Sequence, residues 1–357
     1  MEQRLDCLLI ADDLTGACDA AAPFAAAGLT SVVALPGHSP PVDCRVLAVT
    51  TETRDGDEAE VRRAMHAAAM LAIKPAGILF KKIDSTLRGN AAIEITAALE
   101  EFRCRAAVVC PAFPAMNRMV QGGYLRVVGA SDFEPIHLAT RISCTHIPAG
   151  ELRSAVQSGE RIVSLDANCD EDLDRMAAAI LALDGPILWA GSAGLASALA
   201  RRLAQPAAPA PPPERTGPVL FCIGSDHPVT LGQQEELLSA GKTVPCTLDS
   251  AARNIAGVLG HGRHVLLRIP RGRVSPDTVR DLICDAAPAA LVLSGGDTAS
   301  LVCRALGVQS IVLCDELVPG IPRGILRGGM FDGVPVVTKS GGFGYCDTLI
   351  RIADYFA

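Results

Sequence analysis

Short runs of consecutive apolar residues recur along the chain, and most are followed by a stretch of helical periodicity. CLLIA (7–11), SVVAL (31–35), VLAVT (46–50), GILFK (77–81), AAVVC (106–110), RIVSL (161–165) and PILWA (186–190) are the first strand candidates. Between them AEVRRAMHAAAMLA, AAIEITAALEEF and EDLDRMAAAILAL read as helices. In the second of these, Ile95, Leu99 and Phe102 fall at i, i+4 and i+7 on one face. Continuous apolar strands alternating with amphipathic helices predict a parallel sheet covered on both faces.

The run QPAAPAPPPERTGP (205–218) breaks this rhythm. Proline neither donates to a ladder nor continues a helix, so the run reads as an extended, semi-rigid connector. The same grammar then restarts with PVLFCI (218–223), HVLLRI (264–269), ALVLS (290–294), SIVLC (310–314) and VPVVTK (334–339). The predicted fold is therefore α/β in two domains, each a mainly parallel sheet flanked by helices. The boundaries are 1–205, a linker at 206–217, and 218–357. A length of 357 residues suits two cores better than one.

Composition narrows the partners. Aromatics are only 4% of a chain that is 49% hydrophobic, so the cores are built from Ala, Val, Leu and Ile. The net charge is −7, and no Lys/Arg-rich run accompanies it, which argues against nucleic acid. Of thirteen cysteines, Cys7, Cys110, Cys222 and Cys314 lie in or beside apolar runs, and no C-x-x-C pair or zinc spacing occurs. Unpaired thiols in a reducing cytoplasm are the expectation. No signal-peptide pattern and no apolar stretch of about 18 residues is present, so no membrane partner is expected. Oligomeric state stays open, a homo-oligomer included.

In open parallel sheets ligands bind beyond the carboxyl ends of the strands, and that is where polar residues crowd. CLLIA runs into DDLTGA, where Asp12 and Asp13 could orient substrate hydroxyls or accept a proton; the alternative is that Asp13 or Thr15 caps the next helix. After GILFK comes KKIDSTLRGN. Lys82 and Arg88 suit a carboxylate or phosphate, and Asp84 and Ser85 suit hydroxyls, with Asp84 also a candidate base. The alternative is a local Asp84–Arg88 ion pair that stiffens the turn, and Asn90 reads as an N-cap. PAFPAMNRMVQGGYL adds Arg118 and the pair Gly122-Gly123, which would let backbone approach a ligand. GSAG (191–194) suits either an anion or close helix packing.

The second half carries three small-residue loops at strand ends: Gly224-Ser225, Ser294-Gly295-Gly296-Asp297-Thr298, and Lys339 followed by Gly341, Gly342 and Gly344. Glycines there clear side chains so that N–H groups meet phosphate, and three such loops point to a nucleotide. Neither a Walker A motif nor G-x-G-x-x-G is present, which disfavours P-loop and dinucleotide enzymes. No G-x-S-x-G elbow or H-E-x-x-H pattern supports a hydrolase triad or a zinc site.

Taken together, IADDLTGA (10–17), KKIDSTLRGN (81–90), PAFP with Arg118 and GGYL, GSAGLA (191–196), SGGDTAS (294–300), PGIPRGILRGG (319–329) and TKSGGFG (338–344) resemble the four-carbon acid sugar kinase family. The resemblance implies an ATP-dependent kinase of a terminal hydroxyl on a small sugar acid such as threonate, erythronate or 3-oxo-tetronate. It implies that Asp12, Asp84, Ser85, Arg88 and Arg118 serve the acid sugar. Ser225, the Ser294–Thr298 turn and the Gly341-Gly342 loop would serve ATP. Two departures stand out: Asn117 replaces a family glycine, and the turn GSDH carries His227 where the family has a second serine. On this view one of Asp12, Asp13 and Asp84 handles the hydroxyl proton, Asp297 is the candidate Mg²⁺ ligand, and the domains close about the linker.

Overall fold

The apolar runs become strands in a computed structural model that describes residues 5–38, 43–71, 76–130, 132–205, 216–248, 252–272 and 274–357. In chain order come β1 (Leu5–Ala11), α1 (Leu14–Ala26), β2 (Ser31–Ala34), β3 (Val46–Thr50), α2 (Glu58–Leu71), β4 (Ala76–Lys82), α3 (Ala91–Glu101) and β5 (Ala106–Cys110). There follow β6 (Arg118–Gln121), β7 (Tyr124–Val127), β8 (Ile136–His137), α4 (Leu138–Ile142), β9 (Thr145–His146), α5 (Leu152–Gln157), β10 (Ile162–Ser164), α6 (Asp170–Leu181), β11 (Ile187–Gly191) and α7 (Ala193–Leu203). Next are β12 (Val219–Ile223), α8 (Pro228–Ser239), β13 (Thr243–Cys246), α9 (Ala252–Gly260), β14 (His264–Arg268) and α10 (Pro276–Ala286). The chain ends with β15 (Ala290–Ser294), α11 (Gly296–Ala305), β16 (Ser310–Val318), β17 (Ile321–Arg327), β18 (Pro335–Lys339) and α12 (Thr348–Phe356).

The chain divides into two compact units, Met1–Ser31 with Val42–Ala208 and Val32–Pro41 with Pro209–Ala357. Most of the expected linker, 206–215, lies outside the described residues.

The first unit holds seven parallel strands in the order β3-β1-β4-β11-β5-β10-β9. Their register is what builds a site. Ala11 pairs with both Thr50 and Lys82, Lys82 with Gly191, and Gly191 with Cys110. Five strands therefore end on one level, and the loops that leave them share one edge. α1 is buried on nearly every side, as its run of small residues allows, and it packs on α7. The segment after PAFP forms the antiparallel sheet β6-β7-β8, which the sequence read as loop. Four-residue strands around a glycine turn carry too short an alternation to be seen.

In the second unit β13-β14-β12-β15-β18 are parallel, and β17, β16 and β2 continue antiparallel. Here Ile223 pairs with Ser294 and Arg268, and Ser294 with Lys339, so the glycine loops again leave from one level. Two strands were not legible. β17 contains Pro322 and Gly324, and the proline is tolerated beside a register shift in β16. β13 contains Pro245 and pairs on one side only, with β14. SVVAL forms β2, and its strand pairs with β16. An apolar run carries no mark of the strand it will pair with. None of the thirteen cysteines is joined in a disulfide among the described residues, and no helix among those residues is long and apolar enough to cross a membrane.

Candidate active site

At the end of β1 the chain turns sharply into α1, and Asp13 makes the turn. Its Oδ1 accepts the Gly16 N–H at 2.7 Å and its Oδ2 accepts the Thr15 hydroxyl at 3.2 Å. The capping role is therefore real for Asp13. Asp12 is different. It is 2% exposed, its Oδ2 accepts Arg54 Nε at 2.7 Å, and its buried Oδ1 has no hydrogen-bond partner among the described residues. Burial alone would push this carboxyl up. The Arg54 guanidinium and the Lys81 and Lys82 ammoniums outweigh it and hold Asp12 below the usual carboxylate range.

Arg54 leaves the end of β3 in TETRDGD, and sequence reasoning passed over it. Its Nε meets Asp12 at 2.7 Å, its Nη1 meets Asp13 at 2.6 Å, and its Nη2 lies 3.7 Å from Asp84. One planar fork thus joins three carboxylates. The strand-end rule that singled out the other loops would have found it.

In the β4–α3 turn the Asp84–Arg88 ion pair exists. Asp84 Oδ1 accepts the Thr86 N–H (2.9 Å) and hydroxyl (2.5 Å) and Arg88 Nε (3.1 Å), while Oδ2 accepts Arg88 Nη2 at 2.6 Å. Burial would raise this carboxyl, but Arg88 and Arg54 hold it far below the carboxylate range. The turn needs φ +57° at buried Leu87 and +78° at Gly89, where a Cβ would stand 2.8 Å from the Arg54 carbonyl. Arg141 of α4 braces both residues, donating to the Leu87 and Gly89 carbonyls at 2.8 Å each. Asn90 does not cap α3 with its side chain; it donates instead to the Gly56 carbonyl.

The two lysines of KKIDSTLRGN point to opposite faces of β4, as adjacent strand residues must. Lys81 pairs with Glu94 of α3 at 3.0 Å, and Glu94 also accepts the Thr53 hydroxyl at 2.6 Å. Lys82 stands 3.5 Å from Asp19. Burial would lower the Lys82 ammonium, but Asp19, Asp12, Asp13 and Asp84 together raise it. Ser85 is buried in the same turn. Arg118 is buried and donates to the Met116 carbonyl at 3.0 Å; burial pushes its guanidinium down, with Asp84 opposing. Gly122 and Gly123 both donate their N–H groups to Asp166, at 2.8 and 3.0 Å. In GSAG, Ser192 caps α7 and donates to the Ala112 carbonyl at 2.7 Å.

In the second unit Gly224 N–H donates to the Ser294 carbonyl and Gly295 N–H to the Lys339 carbonyl, at 3.1 and 2.9 Å. The three loops thereby lace together. Ser225 lies against Gly341 so closely that a Cβ on Gly341 would overlap its Oγ. His227 caps α8, its Nδ1 accepting the Val229 N–H at 3.2 Å, so the departure from the family turn has a structural use. Ser294 Oγ is buried without a hydrogen-bond partner among the described residues, Thr298 is buried, and Gly296 opens α11. Asp297 is exposed and paired with Arg271 at 2.7 Å. No group of three or more His, Cys, Asp or Glu among the described residues could hold a metal. Lys339 is wholly buried, and burial pushes its ammonium down to about 7.

The fold and these edges define a two-unit α/β protein with an acidic, arginine-bridged edge in one unit and a glycine-loop edge in the other. Residues 7–140 and 135–199 match the model of a sugar-binding N-terminal domain, and 272–349 that of a nucleotide-binding C-terminal domain. The D-threonate kinase of Bordetella bronchiseptica is 35% identical over 97% of this chain and 96% of its own. The D-erythronate kinase of Heliobacterium modesticaldum is 30% identical over 98% of this chain and 96% of its own. A solved chain from Salmonella typhimurium LT2 shares the fold, with a TM-score of 0.79 at 21% identity, over 98% of this chain and 99% of that one. This chain belongs to the four-carbon acid sugar kinase family.

Proposed function

We propose that this protein transfers the terminal phosphoryl group of ATP to a hydroxyl of a four-carbon sugar acid of the threonate or erythronate type. The observation that carries the reading is Asp12 Oδ1, a buried anionic acceptor without a hydrogen-bond partner among the described residues, at the edge where five parallel strands end. Such an atom is costly unless a ligand supplies a donor, and a substrate hydroxyl is a donor. Asp12 would take or orient the hydroxyl proton as that oxygen bonds to phosphorus and the bond to the leaving ADP oxygen breaks. A loose transition state asks little proton transfer of its acceptor, so a strongly acidic carboxyl suffices.

Asp13 and Asp84 have other work: the first caps a helix and the second organises its turn. Arg88, whose side chain is 56% exposed, with Lys82 and Arg118 behind it, supplies cations for the substrate carboxylate. Ser85 faces the hydroxyls in this scheme. ATP would lie on Ser225, the Ser294-Gly295-Gly296-Asp297-Thr298 turn and the Gly341-Gly342 loop. The Cβ-free contact between Gly341 and Ser225 fits a backbone that must approach phosphate. Mg²⁺ would arrive on the phosphates with most of its waters, and Asp297 is the candidate carboxylate for it. The cytoplasm, with its ATP and reduced thiols, is the expected compartment.

A coupled ADP-release assay over a panel of four-carbon aldonates and oxo-acids tests the reaction. Turnover confined to larger acids, or none at all, would exclude it. Gly341→Ala tests the division of labour. The new Cβ would displace Ser225, so ADP affinity should fall about tenfold or more, or 1.4 kcal/mol, by calorimetry. Affinity for the sugar acid should hold; its loss instead would reverse the roles of the two units.

A further inference from the structure

Lys339 closes β18 directly before the Ser340-Gly341-Gly342 loop. Lysine at the rim of a glycine loop ordinarily suggests a charge aimed at phosphate. Its environment here says otherwise. The side chain is wholly buried and forms no ion pair among the described residues, and its Nζ donates to Thr230 Oγ at 2.8 Å, the Ser340 carbonyl at 3.1 Å and the Gly341 carbonyl at 3.2 Å. Thr230 of α8 in turn donates to the same Gly341 carbonyl at 2.6 Å. All three donor sites of the ammonium are thus matched by protein oxygens.

The consequence follows from the peptide bond. In a planar trans peptide the N–H points opposite to the C=O. Turning the Ser340 carbonyl toward Lys339 turns the Gly341 N–H away from it. Turning the Gly341 carbonyl toward Lys339 and Thr230 does the same for the Gly342 N–H. Neither N–H donates to a protein acceptor among the described residues, and both glycines are only half-buried. Successive N–H groups aimed one way form an anion-binding concavity.

We propose that Lys339 is a positioning residue that works from beneath the loop: with Thr230 it holds two carbonyls inward and so aims the Gly341 and Gly342 N–H groups at a nucleotide phosphate, without touching that phosphate itself. Burial supports this division, since a surrounding that disfavours the charge leaves directional N–H donors as the useful property of the side chain. The inference rests on the ATP reading of the second unit.

The test is calorimetric titration of ADP into the full chain and into Lys339→Met, Thr230→Val and the double variant, with thermal melts alongside. Wild type should bind ADP. Lys339→Met should bind about ten- to a hundredfold more weakly while keeping its melting temperature, because an apolar side chain of similar length replaces a buried charge. Thr230→Val should weaken binding at least about threefold, and the double variant should fall short of the summed losses, since both residues hold one carbonyl. The Gly341 and Gly342 amide resonances should shift on ADP addition in wild type and much less in Lys339→Met. Full affinity in Thr230→Val would mean that Lys339 acts on the phosphate directly and would overturn the proposal, as would an unchanged Lys339→Met. A wild type that binds no ADP would instead remove the nucleotide reading beneath it.

Discussion

Asp12→Asn is expected to lower kcat by about a thousandfold, roughly 4 kcal/mol of barrier, with ADP affinity unchanged. The size of the effect comes from a reversal of polarity rather than from lost volume. Arg54 Nε donates to Oδ2 of Asp12 and would keep whichever atom can accept. In the asparagine variant that atom is the amide oxygen, so the amide NH₂ takes the place of Oδ1. A buried acceptor becomes a donor facing a substrate hydroxyl that must itself donate. Asp84→Asn should behave differently. Both oxygens of Asp84 are already engaged by Thr86 and Arg88, so the change loosens the turn and the cation it carries. The Michaelis constant for the sugar acid should rise by a larger factor than kcat falls. Steady-state kinetics on both variants decides between the aspartates: more than about a tenth of wild-type kcat in Asp12→Asn, less than one step of about 1.4 kcal/mol, removes Asp12 from the chemistry.

Much of this edge was legible before the fold was known. The apolar runs located β1, β3, β4, β5 and β11, and the rule that ligands gather beyond parallel strand ends picked out DDLTGA and KKIDSTLRGN. What the chain did not reveal is how the charges pair. Arg54 lies 42 residues from Asp12 and Arg141 lies 54 from Leu87, so the contacts that set their roles are invisible to local pattern. Within KKIDSTLRGN both the ligand and the ion-pair readings had sequence support, and the Asp12 oxygen that has no hydrogen-bond partner among the described residues separates the acids. Lys339 shows the same limit from another direction. β18 is buried along its whole length, so alternation along the strand could not say whether the lysine turned out toward a phosphate or in beneath its own loop. β2 could be recognised as a strand but not assigned its pairing, because an apolar four-residue run carries no mark of its partner.

Arg54→Met should produce the largest loss of stability in the first unit and carry activity with it. The guanidinium is 21% exposed and stands against three acids, Asp12, Asp13 and Asp84. Removing it leaves buried carboxylates facing one another with Lys81, Lys82, Arg88 and Arg118 to offset them. Breaking a buried ion pair from one side costs about 3–5 kcal/mol, and partial exposure places this case near the lower end, about 3. The pH dependence gives the effect a signature that simple loss of packing lacks. Asp12 and Asp84 have folded-state values below their unfolded ones, so their stabilising contribution is complete above the unfolded carboxylate range of about 4 and is lost as pH falls toward the folded values. Without Arg54 the folded values rise, and much of that contribution vanishes. The gap between wild type and Arg54→Met, measured by denaturant unfolding, should therefore be widest near neutrality and narrow as pH falls below about 4. The acid limb of kcat/KM should move to higher pH in the variant, because Asp12 must stay ionised to accept the hydroxyl. A stability gap that does not change between pH 7 and roughly pH 3 would show that Arg54 matters for packing and not for holding these carboxylates charged.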